Sequence, residues 1–145
     1  MTLEIRPFTP ADTETVVALW QRCDLVRPWN NPYRDITRKL ADGADLFLVG
    51  LEDGKLVASV MGGYEGHRGW VNYLAVDPAV QRQGYGRQLM VAVEQKLIAR
   101  GCPKLNLQIR RNNHAVIDFY NAIGYTEDDV ISFGKRLISD EEQTV

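Results

Sequence analysis

The fold of this chain is decided by residues 76–87, VDPAVQRQGYGR, which lie between a predicted strand and a predicted long helix. Gly84 and Gly86 let the main chain turn sharply and come close to a ligand. The N–H groups at the start of the helix point outward and attract anions, and Arg82 and Arg87 add positive charge. The stretch therefore predicts either a cradle for a pyrophosphate group or, more simply, a glycine turn that connects the strand to the helix.

Two other phosphate-binding patterns do not fit this stretch. The dinucleotide fingerprint of Rossmann folds needs a third glycine where this chain has Leu89, and an acidic residue about 20 residues later. A P-loop needs Gly-Lys followed by Ser or Thr, and that tripeptide does not occur in the sequence.

Hydrophobic periodicity on both sides of the stretch predicts an α/β fold with a mixed sheet flanked by helices. Meandering strands joined by an Asp53-Gly54 hairpin turn come before it, and strand–helix units follow it. The predicted order is β-α-α-β-β-β-α-β-α-β-β. The predicted strands cover residues 3–7, 46–51, 56–64, 70–76, 105–109, 125–127 and 130–137. The predicted helices cover residues 9–23, 34–41, 84–100 and 113–123.

The composition is that of one soluble globular domain. The chain has 145 residues, of which 45% are hydrophobic and 25% are charged, and about 150 residues is an ordinary size for a domain. We expect a single domain over residues 1–145, with a frayed and solvated acidic tail over residues 139–145. The net charge of −2 argues against a protein that holds nucleic acid by its phosphates.

The sequence also predicts a cytoplasmic protein. No run approaches the ~18 apolar residues that a membrane helix needs, and residues 1–8 lack the apolar core of a signal peptide. Cys23 and Cys102 have no metal-ligand spacing and are too few for a disulfide framework. We therefore expect a reducing compartment, no membrane partner and no bound metal.

A second informative stretch covers residues 113–125, NHAVIDFYNAIGY. Asn113 and Tyr120 are separated by two helical turns, so they lie on one face of the predicted helix. Taken alone, Asn113 is a helix cap and Tyr120 is a core aromatic residue.

Together, the two stretches resemble the GNAT family of N-acetyltransferases. The pattern Q-x-x-G-x-G at residues 81–86, after a strand that ends in Asp77-Pro78, resembles the acetyl-CoA motif of that family. Asn113 with F-Y-x-x-x-G-Y at residues 119–125 is similar to its second motif, and both motifs occur in the family's order. Within the family, the chain most resembles the small bacterial YpeA-like acetyltransferases.

The resemblance implies acetyl-CoA as cosubstrate and an amine, on a small molecule or a protein, as acceptor. The pantetheine arm would bind the exposed main chain of Leu74, Ala75 and Val76, and would also meet Asn113. The pyrophosphate would be held by the loop amides of Arg82, Gln83, Gly84, Tyr85, Gly86 and Arg87. Tyr120 would be the general acid that protonates the leaving thiolate, and a main-chain N–H near Val76 would stabilise charge on the carbonyl oxygen.

The base that deprotonates the amine is less clearly marked. Relatives that acetylate protein N-terminal alanines carry a Glu five residues before the motif Asn, but this chain has Gln108 there, and an amide is not a base. Glu65 is a candidate base, with an exposed loop acid as the simpler interpretation, and Tyr73 is a candidate for positioning a water.

Other interpretations are also consistent with the sequence. A GNAT fold can serve as an acyl-CoA sensor or interaction module with little catalysis. Nucleic-acid binding would use Arg82, Arg87, Arg110 and Arg111, which the net charge of −2 opposes. By family analogy Trp29 and Tyr33 would wall the acceptor site, although packing of their own loop explains them equally well. A homodimer could form through the splayed strand or the last strand.

Overall fold

The computed structural model of the protein describes residues 3–141. Two predictions fall partly outside this range: Met1 and Thr2 of the segment compared with a signal peptide, and residues 142–145 of the tail. The strands are β1 Glu4–Pro7, β2 Phe47–Glu52, β3 Lys55–Tyr64, β4 Gly69–Val76 and β5 Leu105–Leu107. The helices are α1 Thr13–Arg22, α2 Pro32–Asp42, α3 Tyr85–Ala99 and α4 His114–Ala122. Within residues 3–141, no helix is long and apolar enough to cross a membrane.

The strands form one mixed sheet in the order β1-β2-β3-β4-β5. The first four strands pair antiparallel with their neighbours, whereas β4 and β5 are parallel. A parallel pair needs a crossover connection, and α3 supplies it between β4 and β5. The predicted α/β class with a mixed sheet is therefore confirmed.

Helices cover both faces of the sheet, and β2 and β3 are therefore buried on both sides. Leu48 belongs to a core cluster with α3, whereas Phe47 and Val49 belong to a cluster with α1 and α2. Neighbouring residues of a strand point to opposite faces, so the apolar run at residues 46–49 supplies both cores. These two layers leave β4 between α1 and α2 on one side and α3 and α4 on the other.

The second helix begins earlier than the sequence predicts. Residues 27–33 are predicted to be a loop with the helix starting at Arg34, but α2 starts at Pro32. The Asn31 side chain accepts hydrogen bonds from the N–H groups of Tyr33 and Arg34. A proline at the first helical position loses no hydrogen bond, so Asn31 and Pro32 together start the helix.

The predicted strands at residues 125–127 and 130–137 are not formed, and this prediction is wrong. The apolar side chains of the segment are exposed, Phe133 by 90%. Side chains attach the segment to the rest of the chain, since Lys104 pairs with Asp128 at 2.8 Å. Alternating polarity shows only that a segment can form a strand, and no other main chain between residues 3 and 141 pairs with this one.

The prediction of a solvated tail is wrong at Asp140, whose side chain is buried. Arg38 pairs with the Asp140 carboxylate at 2.6 Å, and the N–H of Asn31 donates to it at 3.0 Å. The Arg38 hydrogen bond, followed by that of Asn31, lowers the pKa of Asp140 to about 2. The arginine and the main-chain amide replace the water that the carboxylate would otherwise bind. Residues 139–141 therefore dock on the start of α2.

A buried hydroxyl links the sheet to α1. The indole N–H of Trp20 donates to Ser59 Oγ at 2.9 Å, and the Ser59 hydroxyl donates to the carbonyl of Tyr73 at 3.0 Å. Ser59 and Trp20 are both fully buried, so the indole N–H has no water as a substitute partner.

We expect Ser59→Ala to reduce the free energy of unfolding by about 1–3 kcal/mol, because it leaves the buried indole N–H of Trp20 without a partner. Urea denaturation followed by circular dichroism measures this change. Ser132→Ala, at an exposed position, is the matched control and should alter stability by less than about 0.5 kcal/mol. Equal stability of the two variants would show that the buried bridge contributes nothing.

We expect Asp140→Asn to lower the melting temperature near neutral pH and to do so less as the pH falls. The pKa of Asp140 is depressed, so its contribution is present above the unfolded value of about 3.9 and is lost as the pH falls through about 2. Thermal melts between about pH 7 and pH 2 test this. Glu141→Gln removes an exposed charge next to it and should follow the unchanged protein at every pH. A pH-independent difference for Asp140→Asn would contradict the ion-pair assignment.

Candidate functional site

The predicted phosphate loop forms an open concave turn before α3. Arg82 and Gly84 both adopt left-handed conformations, with φ of +68° and +81°, and such alternation directs successive N–H groups toward one point. A Cβ added at Gly84 would meet no atom within 4 Å, so the space above the loop is free. No side chain caps the first turn of α3 and no acidic residue lies in it. The helix N-terminus therefore keeps its unpaired N–H groups and positive dipole end for an anion.

Tyr85 and Gly86, at the start of α3, hold the loop in place through their contacts with the rest of the fold. Tyr85 is buried, and its hydroxyl donates to the carboxylate of Glu52 on β2, which raises the pKa of Tyr85 to about 12. Its side chain thus anchors the helix, and only its amide faces the loop. At Gly86 a Cβ would lie 3.1 Å from Cζ of Phe119, so the absence of a side chain lets α4 pack on the first turn of α3. This contact joins the two stretches singled out in the sequence.

β4 and β5 separate where the candidate site begins. Their pairing covers only Gly69 to Val71, opposite Leu105 to Leu107. Between Asn72 and Val76, β4 has no strand neighbour on that side among the described residues.

The unpaired part of β4 directs main-chain groups into this gap. Asp77 donates its N–H to the carbonyl of Val57 on β3 at 2.8 Å. Successive peptide groups of a strand alternate, so the N–H of Val76 points away from β3. The carbonyl of Val76 accepts from Gln81 Nε2 at 3.1 Å and from Cys23 Sγ at 3.3 Å instead of from a strand. Leu74 and Ala75 lie on the same unpaired part of β4.

A β-bulge in β4 changes the direction of this part of the strand. Ser59 pairs with Ala75 and Met61 with Asn72, so β4 carries one residue more than β3 between these pairs. Tyr73 lies in the bulge with φ of +53°. The local sequence pattern does not predict this bulge.

Tyr120 has the properties of a proton donor. Its ring is 94% buried and makes edge contacts with the rings of Phe119 and Tyr125, at centroid distances of 5.0 and 5.5 Å. Its hydroxyl forms no hydrogen bond to any other residue in the range 3–141, yet it is not sealed from solvent. Burial raises the pKa of Tyr120, which keeps the phenol protonated at neutral pH.

Asn113 and Glu65 both cap local structure. Asn113 accepts the N–H of Val116 at 3.4 Å and begins α4, which leaves its amide NH₂ for another partner. The exposed Glu65 carboxylate accepts the N–H groups of His67, at 2.6 Å, and Arg68 in the turn between β3 and β4. These hydrogen bonds lower the pKa of Glu65 and make it a weaker base. The geometry therefore favours the simpler interpretation of Glu65 as an exposed loop acid.

A cavity of about 550 Å³ lies between α2 and the middle of β3 and β4. Its wall includes Leu25, Asp35, Arg38, Lys39, Met61 and Tyr73. The Tyr73 hydroxyl donates to Asp35 Oδ2 at 2.6 Å, and the Tyr73 ring stacks on Trp20 at a centroid distance of 3.7 Å. Burial and the Asp35 hydrogen bond raise the pKa of Tyr73. Of the polar groups in this cavity, only Tyr73 is predicted from the sequence. The four-residue spacing of Asp35 and Lys39 could have indicated the others, because it places both on one face of a helix.

A second cavity of about 550 Å³ lies at the start of α4 and is lined by Arg110, Arg111, Asn112 and His114. The guanidinium carbon of Arg110 lies 5.4 Å from the centroid of the Trp29 ring. This cation–π contact connects the loop before α2 to the connection between β5 and α4. In the same region, Tyr33 donates its hydroxyl to Glu14 on α1 at 3.0 Å.

Among the residues that the structure describes, no group of three or more His, Cys, Asp or Glu side chains is arranged to hold a metal ion. Cys23 and Cys102 are both free thiols and half-buried.

Comparison with known proteins identifies the family. The profile of the Acetyltransferase (GNAT) family matches residues 13–125. An acetyltransferase of Pectobacterium atrosepticum is 52% identical over 97% of this chain and 99% of its own length. An acetyltransferase of Yersinia enterocolitica is 51% identical over the same shares.

Solved structures share the fold at lower identity. The ribosomal-protein-S18-alanine N-acetyltransferase of Escherichia coli superposes with a TM-score of 0.73 and 23% identity, covering 88% of this chain and 79% of that one. The PaiA N-acetyltransferase of Thermoplasma acidophilum, in complex with coenzyme A, gives 0.73 and 18%, covering 90% and 94%. The family match and the close relatives confirm the prediction made from residues 76–87 and 113–125, and the chain belongs to the GNAT family of acetyltransferases.

Proposed function

We propose that the protein transfers the acetyl group of acetyl-CoA directly to a primary amine. The observation that carries the proposal is the second half of β4, which has no strand partner on the side of β5. It is followed by the turn at residues 82–87, which carries two arginines and has no side-chain cap at the start of α3. A ligand with an amide-containing arm and a pyrophosphate matches these two features in their order along the chain. Acetyl-CoA would supply an activated thioester at the end of that arm.

The pyrophosphate would bind to the amides of residues 82–87. These amides are unpaired at the helix start, and the guanidinium groups of Arg82 and Arg87 add charge. Tyr85 and Gly86 would contribute main-chain N–H groups alone, since their side-chain positions are enclosed.

The pantetheine arm would extend the sheet along the unpaired edge of β4. Leu74, Ala75 and Val76 provide the main chain there, in the gap that opens after Val71. The free NH₂ group of Asn113 would donate to the same arm from the start of α4.

The chemistry needs one bond formed, one broken and two protons moved. The neutral amine nitrogen forms a bond to the acetyl carbon and loses a proton to water, while the carbon–sulfur bond breaks and the sulfur gains a proton. The N–H of Val76 would stabilise the negative charge that develops on the carbonyl oxygen. The hydroxyl of Tyr120 would give its proton to the leaving sulfur.

The acceptor amine would enter through the cavity beside β4. Tyr73 links that cavity to the bulge of β4, and Asp35 places a carboxylate in its wall. A lysine-like amine with a pKa of about 10.4 arrives mostly protonated, and a carboxylate in the wall attracts that ammonium form. The ammonium would release one proton to water before the neutral amine attacks the thioester.

We expect Gly84→Asp to weaken acetyl-CoA binding by more than about tenfold, which corresponds to about 1.4 kcal/mol. The new side chain would fill the open turn with negative charge and strain a left-handed residue. Isothermal titration with acetyl-CoA measures the effect. Gly54→Asp is a matched control, because Gly54 has φ of +79° and open space in the turn between β2 and β3. If both variants bind like the unchanged protein, the loop is not the phosphate site.

We expect Tyr120→Phe to lower kcat by about 100-fold or more with little change in the KM for acetyl-CoA, since only the proton donor is removed. The raised pKa of Tyr120 predicts that the unchanged enzyme loses no activity through ionisation of this group below about pH 10. Steady-state release of thiol measures both parameters. Tyr64→Phe, on β3, removes a hydroxyl bonded to the carbonyl of Gly66 and should keep kcat. Full kcat in Tyr120→Phe would assign the acid to another residue.

A further inference from the structure

An acid and a base on α2 are spaced as an ion pair but do not form one. Asp35 and Lys39 are four residues apart, where opposite charges ordinarily meet on a helix surface. Asp35 instead accepts the Tyr73 hydroxyl at 2.6 Å and pairs with Arg38 at 3.3 Å. The Lys39 ammonium forms neither a hydrogen bond nor an ion pair with any other residue between 3 and 141, and the hydrogen bond that joins Lys39 to the N–H of Gly43 uses its main-chain carbonyl. The cavity wall thus contains an ammonium group without a partner.

The fold keeps Lys39 against the sheet instead of extending it into water. Its Nζ lies 3.0 Å from the position that a Cβ on Gly63 would occupy, so the glycine of β3 makes room for the ammonium. The side chain is half-buried, and desolvation lowers the pKa of Lys39. A cation held where water is scarce gains most from an anionic ligand.

The other cations near the cavity already have partners. Arg38 binds the carboxylates of Asp140 and Asp35, and Arg34 lies 3.9 Å from Asp140. Asp42, a wall residue at the exposed end of α2, favours the charged form of Lys39 but lies beyond ion-pair distance. Lys39 is therefore the cation of this wall that remains for a ligand.

A negative charge in the same cavity wall, the carboxylate of Asp35, lies next to β4. Asp35 and Tyr73 form that part of the wall, and Tyr73 belongs to the bulge beside the unpaired main chain. An ammonium drawn to Asp35 would lie toward the reacting end, about one helical turn, or 5–6 Å, from the Lys39 position. A volume of about 550 Å³ suits a small molecule.

We infer that the acceptor is a small amine that also carries a carboxylate, an amino acid or a close relative, and that Lys39 binds that carboxylate. The inference rests on the proposed transfer to an amine and adds the acceptor's chemical class. A polyamine offers Lys39 only further positive charge, and an aminoglycoside offers it hydroxyls and positive charge but no carboxylate. A lysine side chain of a protein offers it no carboxylate.

The test compares acceptors that differ only in the carboxylate. The full chain with acetyl-CoA is assayed for thiol release with the twenty protein amino acids, with their carboxamide derivatives and with spermidine. We expect at least one amino acid to be acetylated with a kcat/KM about tenfold or more above that of its carboxamide, since a charged hydrogen bond is lost in the amide.

Variants of Lys39 then test the residue itself. Lys39→Met should raise the KM for that amino acid about tenfold or more and leave the KM for its carboxamide unchanged, whereas Lys39→Arg should restore most of the difference. Lys96→Met removes the same charge from the exposed surface of α3 and should match the unchanged protein.

The possible failures are distinguishable. Acetylation of spermidine or carboxamides as efficient as that of any amino acid would overturn the inference and leave the proposed function standing. An unchanged KM in Lys39→Met, or acetylation of spermidine but of no amino acid, would do the same. Acetyl-CoA binding without acetylation of any amine would overturn both the inference and the proposed transfer. Absence of acetyl-CoA binding in a titration would overturn the proposed function as well.

Discussion

The short parallel pairing of β4 with β5 is the constraint on which the candidate site depends. The two strands share three residue pairs, and the N–H of Gly69 fixes their start through the carbonyl of Lys104 at 2.8 Å. Every strand edge must satisfy its N–H and C=O groups with a neighbour, water or a ligand. If the ladder continued past Val71, β4 and β5 would satisfy each other and no edge would remain for a ligand. Because it stops, the polar edge of β4 after Val71 remains without a strand partner on the side of β5.

Packing from both faces keeps the second half of β4 in place, where only the edge toward β3 is paired. On one face, Trp20 stacks on Tyr73 and reaches Ser59, so α1 fixes the bulge. On the other face, Phe119 lies against Gly86, so α4 fixes the start of α3. The edge toward β5 has no strand to hold it, and a site that stabilises charge needs groups already in position. The buried contacts supply that rigidity without filling the gap.

The sequence predicted the features that depend on local chemistry. Glycines at 84 and 86, a helix start and a following Asn–Tyr pair act over a few residues, and they were sufficient for the loop and the family. The bulge at Tyr73 depends on how β3 and β4 align, which no local pattern contains. Asp140 was assigned to solvent because its partner Arg38 lies 102 residues away. The strand predicted at residues 130–137 is wrong for a related reason. Alternating polarity shows that a segment can pair in a sheet, but it does not show that a neighbouring strand is present.

The ion pair between Arg38 and Asp140 also joins two parts of the chain that are far apart in the sequence. Arg38 lies in the wall of the cavity beside α2, and its partner Asp140 follows it by 102 residues. A proteolytic cut that removed Asp140 would therefore change the wall of that cavity, even though it cleaves none of the residues that line it.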